Sequence, residues 1–144
     1  MSPSRRVRDH MTVSPVTVNS GMALNEAFDL MIKHAVREVP VVDKGQLVAI
    51  VTDRDLREIS PAYPVFRDQD SIRQYMRTLK VADAMTPDPL TVSPEASLVK
   101  AAELLVTYKI SSVPVVENNQ LIGMLSVTNF LELFIEQNQS PEDV

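Results

Sequence analysis

Thr52, Arg54 and Asp55 stand within four positions of one another, where an apolar run from Leu47 to Val51 stops. A buried strand that ends in such groups delivers them to the start of a helix. The chemistry suits a ribose-phosphate. Thr52 can donate to or accept from a hydroxyl or phosphate, and Arg54 adds a planar cation. A helix N-terminus leaves backbone N–H groups free for an anion. Asp55 can accept from two neighbouring ribose hydroxyls, as an acidic residue does in dinucleotide folds. A second reading stands beside this one. Thr52-x-x-Asp55 also fits a capping box, in which the two residues satisfy the helix start and bind nothing else. The stretch alone leaves both open.

The elements that must position these residues emerge when the chain is laid on itself. At a shift of 74, Val7 falls on Val81, and positions 7 to 56 repeat without a gap, with 16 identities in 50 positions. Two copies are too few for a solenoid, so two units burying their open faces against each other are expected. Each copy reads alike. Met11-Thr12-x-x-Pro15 and Met85-Thr86-x-x-Pro89 are expected turns, and Val16-Thr17-Val18 and Leu90-Thr91-Val92 short strands. Helices follow, with Leu24, Ala27, Phe28, Met31 and Ala35 in helical spacing, then Leu98, Ala101, Ala102 and Leu105. The second of these starts at Ser93-Pro94 or at Ser97. Val39-Pro40-Val41-Val42 and Val113-Pro114-Val115-Val116 are β-branched strands whose prolines belong early in the strand or at an edge. Asp43-Lys44-Gly45-Gln46 and Glu117-Asn118-Asn119-Gln120 are hairpin turns. Leu47–Val51 and Leu121–Leu125 read as strands buried on both faces, with helices from Asp53 and Val127.

The expected organisation is repeat 1 over 7–59, a partly helical linker over 60–80, repeat 2 over 81–136 and a polar, frayed tail over 137–144. Ser60-Pro61-Ala62-Tyr63-Pro64 breaks the preceding helix. Asp70 can cap a short helix carrying Ile72, Tyr75, Met76 and Leu79.

Composition excludes several function classes. The 144 residues carry a net charge of −5 and no cysteine. Disulfides, thiolate metal sites and cysteine nucleophiles are out. No basic stripe supports broad nucleic-acid or acidic-membrane binding. Arg5, Arg6 and Arg8 are expected to form a solvated basic tip. No apolar run has signal or membrane-spanning character, so a cytoplasmic protein is the default expectation. His10 and His34, the two histidines, lack metal-ligand spacing to another strong ligand. There is no Gly-x-Ser-x-Gly elbow and no Gly-rich phosphate loop. No catalytic residue, metal site or obligatory cofactor is expected.

The doubled β-α-β-β-α order, with Val-Pro-Val-Val followed by Val-Thr-Asp-Arg-Asp-Leu, resembles a pair of cystathionine-β-synthase (CBS) domains, a Bateman module, from about Val7 to Phe134. The resemblance implies an α/β (α+β) fold of two repeats packed through their sheets with pseudo-two-fold symmetry. It implies a non-catalytic regulatory module that binds AMP, ADP, ATP or S-adenosylmethionine in clefts where the repeats face each other. A homodimer is also implied, with candidate seams on Leu56 and Ile59 and on Phe130, Leu131 and Phe134. With no fused effector domain expected, occupancy would be signalled to an unidentified partner protein. Carried over by position, the stronger cleft takes Asp55 for the ribose, Thr52, Arg54 and Arg37 near the phosphate, and Pro89, Leu90, Ile110, Ser111, Ser112 and Val113 for the adenine. The weaker cleft takes Val16, Val36, Arg37, Val39, Ser126, Thr128 and Asn129.

That second cleft departs from the pattern. Asn129 replaces Asp55, Thr128 replaces Arg54 and Ser111 replaces Arg37. Charge-assisted hydrogen bonds contribute about 1.5–3 kcal/mol against roughly 1 for neutral ones, and about 1.4 kcal/mol is tenfold in affinity. The second cleft should therefore bind at least roughly ten- to a hundredfold more weakly. The competing class of function is a structural or dimerisation module with vestigial, unoccupied clefts.

Overall fold

The computed structural model describes residues 5–59 and 69–139. The expected break at Ser60-Pro61-Ala62-Tyr63-Pro64 and the end of the expected tail lie outside the described residues. The chain forms two compact units that do not follow the sequence repeats. One is Val16–Pro89, here the mid-chain unit. The other joins Met1–Pro15 to Leu90–Val144, here the two-segment unit. The leading nine residues of each repeat, 7–15 and 81–89, thus pack with the body of the other repeat.

In the mid-chain unit, β2 (Glu38–Asp43) pairs antiparallel with β3 (Gln46–Thr52), and β3 pairs with the two-residue β4 (Thr86–Pro87). The β2–β3 turn is tight because Lys44 and Gly45 take left-handed φ values of 51° and 79°. Helix α1 (Leu24–Lys33) buries Leu24, Ala27 and Met31, one stripe of its surface. Val39, Val41, Ala49, Val51 and Leu56 meet this stripe, together with Met76 and Val81 from α3 (Gln69–Met76) and α4 (Val81–Ala84). Helix α2 (Asp53–Ile59) starts directly from β3.

The two-segment unit repeats the plan. A 3-10 turn (Val7–Asp9) leads into β1 (Thr12–Val13), which pairs with β6 (Gln120–Ser126), and β6 pairs with β5 (Ser112–Glu117). Helix α5 (Leu98–Tyr108) buries Leu98, Ala101 and Leu105 against Val7, Val113, Val115 and Leu125. Helix α6 (Val127–Asn138) follows β6 and buries none of its residues.

Several expectations are corrected. Thr12 and Thr86 lie in short strands, not turns. The strands expected at 16–18 and 90–92 shrink to single parallel bridges, Val18 to Val41 and Val92 to Val115. Here Val18 N–H donates to the Pro40 carbonyl at 3.1 Å, and Val92 N–H to the Pro114 carbonyl at 3.0 Å. Proline can only accept on that side, so the ladder does not extend. Ala35 lies beyond α1 with φ 53°, exposed. Strand β3 alternates buried and half-buried positions, so it is not sunk equally on both faces. Asp70 falls inside α3 rather than capping it. Helix α6 runs to Asn138, into the expected tail. Ser97 is the N-cap of α5, its Oγ accepting from Lys100 N–H at 3.1 Å, which decides between the two candidate starts. Leu56 is core at 4% exposure and unavailable as a seam. Arg6 and Arg8 are exposed, as a solvated tip requires, and the structure adds their pairing: both meet Glu95, and Arg8 also meets Glu117 at 3.8 Å.

Candidate functional site

Strand β3 carries Thr52 to the point where α2 begins, and the two ends of the Thr52-x-x-Asp55 element close on each other. Thr52 N–H donates to Asp55 Oδ2 at 2.9 Å, and Asp55 N–H donates to Thr52 Oγ1 at 3.0 Å. This is the capping box. The other carboxylate oxygen, Oδ1, accepts from the hydroxyl of Thr86 on β4 at 2.9 Å. An ionised carboxylate offers about four lone-pair positions. Two are used among the described residues, so half-buried Asp55 keeps two for a ligand's hydroxyls. The Thr52 hydroxyl hydrogen is also uncommitted among the described residues. Capping and ligand binding are therefore compatible at this carboxylate.

At the equivalent element in the two-segment unit the side-chain amide oxygen is saturated. Ser126 N–H and the Ser126 hydroxyl both donate to Asn129 Oδ1, at 2.8 and 3.1 Å. Asn129 N–H returns to Ser126 Oγ at 3.3 Å, and Asn129 Nδ2 donates to Thr12 Oγ1 at 3.2 Å. An amide oxygen has two lone pairs, and both are taken. What remains on Asn129 is one N–H, a donor where a ribose hydroxyl needs an acceptor. Thr128 stands exposed on the first turn of α6.

The cations stand differently. Arg54 lies along the surface of α2, paired with Glu58 at 3.3 Å, and Arg57 reaches back to Asp53 at 3.5 Å. Both pairs are exposed and contribute little. Arg37 is joined to the site through its backbone, its carbonyl accepting from Asp53 N–H at 2.9 Å. Its exposed side chain lines an apolar cavity of about 420 Å³ with Phe28, Met31, Val36, Leu56 and Met76. Of the sequence-derived set, Arg37, Thr52, Arg54, Asp55 and Pro89 belong to the mid-chain unit, as do Val16, Val36 and Val39. Leu90, Ile110, Ser111, Ser112, Val113, Ser126, Thr128 and Asn129 belong to the two-segment unit. Val39 and Val113 are fully buried in the two cores, in register with Val51 and Leu125, so their side chains have no surface to offer a ligand. His34 is an exposed C-cap of α1, and His10 ends the 3-10 turn.

Thr86 and Thr12 are the site residues that sequence reasoning missed. Both are among the identities of the repeat, and each hydroxyl meets the helix-start residue of the other repeat. Their repetition was the available signal; their partners could not be read from it, because the contacts join residues 31 and 117 positions apart.

The CBS-domain family model matches residues 7–62 and 81–136. The chain belongs to the CBS-domain family. It is 31% identical over 121 residues to the CBS domain-containing protein YhcV of Bacillus subtilis, covering 84% of this chain and 79% of that protein. Among solved structures it is similar to CBSX2 in complex with AMP, with 28% identity, a TM-score of 0.77, and coverage of 94% of this chain and 100% of that one. It is also similar to the CBS domain pair of protein MJ0100 in complex with 5′-methylthioadenosine and S-adenosyl-L-methionine. There the identity is 25% and the TM-score 0.74, with 94% and 100% of the two chains covered. The CBS-pair fold that the resemblance implies is the fold observed. No helix among the described residues is long and apolar enough to cross a membrane.

Proposed function

We propose that this CBS pair is a non-catalytic regulatory module that binds an adenosine nucleotide and signals its occupancy to a partner protein. The observation that carries the reading is the pair of uncommitted acceptor positions on Asp55. The likeness to pairs holding AMP or S-adenosyl-L-methionine supports an adenosine-bearing ligand. In this reading Asp55 accepts from the ribose diol and the Thr52 hydroxyl donates to the ligand. Arg54 leaves its weak pairing with Glu58 for the phosphate, and Arg37 adds a second cation. AMP is the first ligand to test, with ADP, ATP and S-adenosylmethionine as comparators. The module acts as a homodimer in the cytoplasm. A signal requires that the bound nucleotide favour one conformation over another, since equal affinity for both shifts nothing.

The test is AMP titration of the wild type and Asp55→Ala. Two hydrogen bonds to a charged acceptor are at stake, so affinity should fall by at least tenfold. Unchanged affinity in Asp55→Ala would remove the assignment. If no adenosine ligand raises the Tm of the wild type, the vestigial-cleft alternative is favoured, because a ligand at 100 times its Kd adds about 2.7 kcal/mol.

A further inference from the structure

The geometry points to Thr86 as a positioning residue for the Asp55 carboxylate, supplied to the ribose site of repeat 1 by the leading segment of repeat 2; this rests on the nucleotide reading above. A carboxylate held by one oxygen still turns about its Cβ–Cγ bond, a broad and soft torsion. Asp55 is held by both. Oδ2 is tied to Thr52 N–H at its own helix start, and Oδ1 to the Thr86 hydroxyl at 2.9 Å. The remaining lone pairs are thereby fixed in direction before any ligand arrives. Preorganisation of this kind lowers the ordering cost of binding.

Thr86 is itself held. It sits in β4, in register with Ile50 of β3, two residues before Thr52. The contact also belongs to the architecture of the repeat. At the same shift of 74, Thr12 of β1 lies in register with Met124 of β6 and meets Asn129 at 3.2 Å. The hydrogen bond runs the opposite way there, because an amide nitrogen donates where a carboxylate accepts. A threonine in this position serves both polarities, since its hydroxyl donates and accepts. Of the two residues so met, Asp55 keeps acceptors for a diol, whereas both lone pairs of the Asn129 amide oxygen are taken.

The exchange of leading segments gives this contact a consequence. Residues 81–89 belong to repeat 2 by sequence and to the mid-chain unit by packing. The acceptor in repeat 1 is therefore oriented by a segment that continues directly into the body of repeat 2.

The experiment is isothermal titration of the full chain with AMP and with 2′,3′-dideoxy-AMP, which lacks the diol. Wild type, Thr86→Val, Thr86→Ser and Asp55→Ala are compared. Thr86 is exposed, so the near-isosteric valine is accommodated. Thr86→Val should lose about tenfold in AMP affinity, and Thr86→Ser should regain most of it. Binding of the dideoxy nucleotide should not differ between wild type and Thr86→Val. Positioning is overturned if Thr86→Val binds AMP as wild type does or more tightly, or if it loses both nucleotides equally. The wider reading fails separately and visibly: wild type would not bind AMP, or Asp55→Ala would bind it undiminished.

Discussion

Asp55 and Asn129 occupy the same place in the repeat and differ by the exchange of a carboxylate oxygen for an amide nitrogen. That exchange decides whether a helix start has acceptors to spare. The sequence made Thr52-x-x-Asp55 legible as either a capping box or a ribose site, and both follow from the same two side chains. It did not reveal which lone pairs were used, because Thr86 approaches from outside the motif. Another carboxylate offers a test of side-chain chemistry by pH. Asp43 accepts from the Ser20 hydroxyl at 2.6 Å and from Ser20 N–H at 3.0 Å. The Ser20 hydroxyl, then the Ser20 N–H, hold its carboxyl below the ordinary value of 3.8. A folded-state value below the unfolded one stabilises the fold above the unfolded value, and the gain is lost as pH falls through the folded one. Wild type should therefore exceed Ser20→Ala in Tm by a constant margin from pH 7 to about 5, and the margin should shrink on further acidification. Thermal melts across that range check it; a margin that widens in acid contradicts the assignment.

At the scale of elements, the periodic signals were sound and the edges were not. Leu24, Ala27 and Met31 gave α1, and the β-branched runs gave β2 and β5. The expected strands at 16–18 and 90–92 failed because the next donor along each partner strand would be Pro40 or Pro114, which has no N–H. Strand β1 was unreadable because two residues carry no period. Its seat on β6 depends on Gly123: a Cβ there would lie 2.7 Å from Met11 Sδ and 2.9 Å from the Thr12 carbonyl oxygen. Helix α6 poses a separate question. Leu131, Phe134 and Ile135 are 57%, 64% and 59% exposed, an apolar grouping of the kind that marks interaction surfaces. If α6 is a seam of the proposed homodimer, Leu131→Glu with Phe134→Glu should convert dimer to folded monomer in sedimentation velocity. A double variant that stays dimeric would put the seam elsewhere.

For the molecule as a whole, a single shift of 74 makes the twofold plan legible in the sequence, and the family match over both repeats agrees with it. The exchange of leading segments was invisible, since 7–15 and 81–89 are near-copies and sequence alone cannot say which body each joins. The consequence for function is an asymmetric pair built from similar halves: one helix start with a carboxylate that keeps acceptors, the other with an amide whose oxygen keeps none. Titration of the full chain with AMP to saturation, read for stoichiometry, tests this most directly. One strong site per chain should appear, with any second site at least roughly tenfold weaker. Two sites of equal affinity per chain, or none, would contradict it.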